Sequence, residues 1–168
     1  VVGAIWSWIL AGDFGVLNHI LRSLGIIQGN VFWKSDPAFA LWAVIIANIW
    51  LGLAFNMLLL SVGLHGIPRE LYEAARVDGA NGLQRFWHIT LPMMRSTIGA
   101  VLSLGLIATL QQFDLFPAIT EGGPANSSMV SQYWAWQASF KLYDFAKGAT
   151  ISVMMLVLVL LASIVYVR

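Results

Sequence analysis

The sequence contains no cysteine, which removes disulfide scaffolds, thiolate zinc sites and cysteine nucleophiles together. Charge is also scarce: only 10% of the 168 residues are charged and the formal net charge is +1, so there is no basic footing for nucleic acid. The histidines His19, His65 and His88 have no ligand spacing between them, which argues against a metal site. A phosphate-binding loop of the form G-x-x-x-x-G-K-[ST] is missing; the nearest fragment, GNVFWKS at 29–35, lacks the second glycine before Lys34. No acid–base pair converges on a catalytic constellation, so no catalytic residue is assigned. The opening residues VVGAIWSWIL carry no initiator Met and no basic leader; they read as the tail of a membrane span, with further helices expected before residue 1.

What is abundant is apolar surface. Hydrophobic residues make up 59% of the chain, and the mean hydropathy of +0.78 lies far outside the globular average. Lipid is the expected solvent. A spanning helix needs about 20 mostly apolar residues, and such stretches occur at Phe39–Leu64, Met93–Phe116 and Phe145–Val167. Polar segments at 12–38, 65–92 and 117–144 separate them. The expected fold is all-α, a polytopic helical membrane bundle forming one domain over 1–168. Arg69, Arg76 and Arg85 in 65–92, with Arg95 and Arg168 beside the later spans, outweigh the more dispersed Arg22, Lys34, Lys141 and Lys147. This bias places 65–92 and the C-terminus in the cytoplasm. Trp33, Tyr133, Trp134, Trp136 and Tyr143 then suit the outer interface.

Within 65–92, Pro68 suits a first helical position and RELYEAARV continues as good helix former. Gly79 is expected to stop that helix, and Asn81 with Gln84 three residues later to cap a second one. Phe86, Trp87 and Ile89 give the second helix an apolar face, and Leu91-Pro92 is expected to turn the chain into the next span. The result is a helix–glycine–helix elbow on the membrane surface.

The spacing inside the elbow is more specific. Glu73-Ala74-Ala75, three residues, Gly79, nine residues, Ile89, one residue and Leu91-Pro92 resembles the EAA loop of permease subunits in binding-protein-dependent ABC importers, at every position of that pattern. Further stretches, DFGVLNHILRSLGI at 13–26, ITEGGPANSSMVSQYWAWQASF at 119–140 and KGATISV at 147–153, resemble sugar-importer permeases. The likeness is to the subunit of the maltose- or glycerol-phosphate-type pair that carries T-x-G-G-P, here Thr120-Glu121-Gly122-Gly123-Pro124.

The resemblance implies a permease that performs no ATP hydrolysis itself and holds no cofactor. ATP and Mg²⁺ are bound by a cytosolic ATPase dimer. A second permease subunit, an extracytoplasmic substrate-binding protein and a prokaryotic inner membrane complete the expected setting. It also implies that Glu73, Ala74, Ala75, Asp78, Gly79, Ile89, Leu91 and Pro92 form the surface that docks in a groove of the ATPase.

Substrate candidates come from polar and aromatic residues at bilayer depth, where polarity is costly. Asn48, Gly52 and Phe55 follow i, i+4, i+7 spacing, with Trp50 on another side of the helix; Gly105, Thr109 and Gln112 repeat that spacing on the next span. Rings for stacking (Trp50, Phe55) and groups for hydrogen bonding (Asn48, Thr109, Gln112) suit a sugar. The same residue types also join membrane helices, and small residues allow close packing. The spans carry no Lys or Arg at depth, which favours a neutral sugar over an anionic solute. The rivals are a permease for glycerol phosphate, a polyamine or an amino acid, and an ion-driven carrier, which would ordinarily carry ionisable residues at midmembrane.

Overall fold

The structure is a computed structural model that describes residues 1–167, with side chains described for residues 1–164. Among the described residues the only regular elements are helices: α1 (Val2–Ile9), α2 (Val16–Ser23), α3 (Ala40–His65), α4 (Arg69–Val77), α5 (Gly82–Arg85), α6 (Leu91–Met93), α7 (Arg95–Leu110), α8 (Leu115–Ile119), α9 (Ser131–Trp136) and α10 (Phe145–Val167). Wider π-type turns occupy Phe86–Thr90 and Gln137–Lys141. Arg168, one of the cations that orient the chain, lies outside the described residues.

Two of the expected spans match the helices within a residue. The 26 residues of α3 and the 23 of α10 are apolar on all sides and long enough to cross a bilayer. The middle span needs correction. Its helix starts after Met94 and ends at Leu110, well short of Phe116. Its 16 residues rise about 24 Å, less than the hydrocarbon thickness. Only together with the preceding run Gly82–Met93, from which it bends by 65°, does it qualify as a third crossing. The end is accommodated from a distant segment: the Gln132 side-chain amide donates to the Leu110 carbonyl, an acceptor that a helix end leaves open.

The chain forms two compact units, Val1–Leu51 with Thr109–Arg168, and Gly52–Ala108. The first has a core of Leu10, Ala43, Val44, Ala47, Leu115, Phe116, Ile119 and Tyr133. Two glycines let its helices meet: Gly3 of α1 lies against Ala118 of α8, and Gly148 of α10 lies against Ser139. The segment between α1 and α3 is tied together by Asn18, which is 1% exposed. Its amide donates to the carbonyls of Gly12 (2.8 Å) and Val31 (2.9 Å), and its oxygen accepts from Trp33 Nε1 (2.8 Å). Tyr133 and Trp33, both of interfacial residue type, thus also make contacts within the chain. Tyr133 is 1% exposed and stacks on Trp136, while Trp134 and Tyr143 remain exposed.

In the second unit the α3 and α7 side chains pack closely at Gly63, where a Cβ would collide with Thr97. That contact precedes the elbow on one strand of the chain and follows it on the other.

Candidate functional site

The elbow occupies the second unit. Pro68, with ψ of 133°, stands just outside α4 as its N-cap, one place earlier than the sequence suggested. Glu70 in the first turn and Arg76 in the last suit the helix dipole. The helix ends in a Schellman motif: Gly79 N–H donates to Arg76 O (3.1 Å) and Ala80 N–H to Ala75 O (2.9 Å). Gly79 adopts φ of +79°, where only glycine is unstrained. The second helix opens with the expected capping box. Gln84 N–H donates to Asn81 Oδ1 (2.9 Å), and Asn81 N–H to Gln84 Oε1 (2.8 Å).

From there the second arm departs from expectation. Pro92 does not turn the chain; the helix runs through it and bends at buried Met94. Proline removes an N–H and crowds the carbonyl four residues back, and the wide turn Phe86–Thr90 lies directly before it. Tyr72 Oη and Thr90 Oγ1 are hydrogen-bonded at 2.9 Å, joining the two arms at the end away from Gly79. Sequence reasoning missed this pair, because nothing local announces a contact between residues 18 apart.

The docking candidates divide by position. Glu73, Ala74, Asp78, Gly79 and Pro92 are exposed, and Ala75, Ile89 and Leu91 are half-buried. Ala75, Asp78, Gly79 and Ile89, with Gln84, Arg85 and His88, line an open cleft of about 360 Å³ between the arms. Phe86 and Trp87, in edge-to-face contact at 5.7 Å, remain largely exposed.

The substrate candidates are less unified. Asn48, Trp50, Gly52 and Phe55 all lie on the unbroken helix α3. Asn48 is half-buried, Trp50 is 56% exposed with its edge towards Trp6 (6.1 Å), and Phe55 is 57% exposed. Thr109 is exposed near the end of α7. Gln112 is corrected: it lies beyond α7, its N–H donating to Thr109 O (3.2 Å), so helical spacing does not extend the face of Gly105 and Thr109 to it. Gly105 has nothing within 4 Å of a would-be Cβ, and Gly52 meets only Asn56 of its own helix. Among the described residues neither glycine serves close helix packing.

The T-x-G-G-P stretch is a closed loop. Buried Ser128 donates to the Gly123 carbonyl (2.8 Å) and shares a hydrogen bond with the Thr120 hydroxyl (2.8 Å).

With this geometry in place, comparison with known proteins is decisive. A family profile described as the inner membrane component of binding-protein-dependent transport systems matches residues 1–168. The chain belongs to this family. The chain is 35% identical, over 99% of its own length, to the sulfoquinovosyl glycerol transport system permease protein SmoG of Agrobacterium fabrum (strain C58 / ATCC 33970), of which that match covers 53%. It is 37% identical, over 97% of its length, to the trehalose/maltose transport system permease protein MalF of Thermococcus litoralis, of which 54% is covered. The chain thus spans about half the length of the curated relatives it matches. Among solved structures it superposes with a TM-score of 0.81 and 25% identity on a chain of a bacterial ABC transporter involved in the import of the acidic polysaccharide alginate, covering 99% of this chain and 59% of that one.

Proposed function

We propose that the chain is the membrane-spanning core of a permease subunit in an ABC sugar importer, and that both of its units belong to one transmembrane domain. The observation that carries this reading is the elbow. Its Schellman turn rests on Ala75 and Gly79 of the EAA pattern, the Asn81–Gln84 capping box follows directly, and Glu73 and Ala74 are left exposed on a short helix. Such a helix suits docking in a groove of a cytosolic ATPase dimer. Small Ala74 and Ala75 allow close approach, and Glu73 offers a carboxylate for a charge-assisted bond to a basic partner residue. ATP and Mg²⁺ would be bound on that partner. The elbow and C-terminus face the cytoplasm in this reading, and the loops on the other side meet the substrate-binding protein.

A second permease subunit completes the path. Asn48, Trp50, Gly52, Phe55, Thr109 and Gln112 are the residues offered to it here, through aromatic surface for stacking and amides and hydroxyls for hydrogen bonds. Relatives carry names for several different sugars, and one solved relative belongs to an importer of an acidic polysaccharide. The absence of Lys and Arg from the middle of α3, α7 and α10 supports a neutral sugar.

The test is ATP hydrolysis by the full-length subunit reconstituted with its partner permease, ATPase and binding protein, against neutral and acidic oligosaccharides and glycerol phosphate. Stimulation by one sugar, abolished by Glu73→Lys with assembly of the membrane subunits unchanged, is the expected outcome. Stimulation by glycerol phosphate alone would replace the sugar, and an undiminished response in Glu73→Lys would refute the docking role.

A further inference from the structure

The two arms of the elbow, α4 and the run Gly82–Met93, are joined at one end by the Gly79 turn and at the other by the Tyr72–Thr90 hydrogen bond. Among the described residues nothing lies within 4 Å of a would-be Cβ at Gly79, so no side chain is packed over the joint at that point. Between the arms lies the open cleft of about 360 Å³, lined by Ala75, Asp78 and Gly79 on one side and Gln84, Arg85, His88 and Ile89 on the other. A glycine joint beside an open cleft has little at the joint itself to oppose bending. What opposes bending is a bond placed far from the joint, and Tyr72 stands seven residues, about 10 Å, along α4 from Gly79.

We infer that Tyr72 and Thr90 are positioning residues whose hydrogen bond holds the two arms as one lever, so that displacement of the first arm reaches α7 and is not lost by flexing at Gly79. This rests on the reading that the elbow couples to an ATPase. Both side chains are half-buried, which shields the bond from competition by water. Thr90 ends the wide turn Phe86–Thr90, and a turn with one extra residue shifts the register of the next helical residues by about 100°. Leu91–Met93 and the 65° bend into α7 come immediately afterwards. The brace therefore sits at the entry to the membrane helix, where a stroke must be handed over.

The test uses the full-length subunit and two readouts. Residues 1–168 contain no cysteine, so in a full-length subunit with any cysteine elsewhere replaced, spin labels can be introduced at Glu70→Cys and Trp87→Cys, both exposed positions on opposite arms, to measure the spread of inter-arm distances. In the reconstituted complex, sugar transported per ATP hydrolysed is measured in parallel. Tyr72→Phe and Thr90→Val are expected to widen the distance distribution and lower the transport ratio roughly two- to tenfold, the range given by one ordinary hydrogen bond. ATP hydrolysis persists in both, the double variant is no worse than either single one, and Thr90→Ser, which keeps the hydroxyl, retains coupling. An unchanged distance distribution in Tyr72→Phe and Thr90→Val overturns the brace, whatever the transport result. If the wild-type complex shows no sugar-stimulated hydrolysis, the importer reading fails and the distance distribution alone decides the brace. A widened distribution with an unchanged transport ratio in an active complex overturns the lever.

Discussion

Residues 65–92 and 117–144 each connect apolar helices, and each contains a glycine in the left-handed region, Gly79 at φ +79° and Gly122 at φ +78°. Their surroundings differ. A Cβ on Gly79 would meet nothing within 4 Å, whereas one on Gly122 would meet the Met129 methyl at 2.7 Å and buried Tyr133 at 3.2 Å. The first segment is shaped by backbone caps that neighbouring residues supply. The second is shaped by a core assembled from remote parts of the chain, with Tyr133 packed beside Leu10, Val44 and Phe116. One connection is built largely from local signals and stays exposed; the other is built by burial and is closed on itself.

That contrast can be broken at its strongest point first. Tyr133→Ala removes a 1% exposed ring that stacks on Trp136 at 5.6 Å, and is expected to cost about 3–5 kcal/mol, read as a large fall in Tm of the purified protein in detergent. The amide protons of the elbow should keep their exchange rates in that variant. Faster exchange throughout 69–90 would show that the elbow depends on the core after all. Next, Gly122→Ala combines a left-handed backbone with a contact that Met129 can yield but Tyr133 cannot, for an expected loss of about 2 kcal/mol. Gly79→Ala shares the backbone strain without any clash, so about 1 kcal/mol is expected. Its effect should appear as faster amide exchange confined to 69–90, with Tm nearly unchanged. Equal costs at the two glycines would remove the distinction between the segments.

The same distinction explains which features were legible in the sequence. Gly79 as the stop of α4 and the Asn81–Gln84 box were readable because both partners of each interaction lie within six residues. The ends of α3 and α10 were readable because an all-round apolar helix needs lipid, whatever its neighbours. Pattern alone overran the end of the middle helix, where the open acceptor at Leu110 finds its partner in Gln132, 22 residues further on. The same limit applies to Gln112, placed on a helical face by a spacing that the backbone abandons before reaching it. Residue type alone did not show that Tyr133 fills the core or that Trp33 donates to Asn18.

By itself, the sequence determined the solvent, the two long spans, the elbow with its caps and the family to which that elbow points. These rest on composition and on interactions a few residues long, which survive without knowledge of the rest of the fold. The tertiary structure alone decided where α7 ends, which aromatic residues are buried, that Gly63 rather than Gly52 or Gly105 is the close-packing glycine of the second unit, and that Tyr72 bonds to Thr90. Each of those depends on groups distant in sequence competing for the same space or the same hydrogen bond, and only the folded chain brings them together.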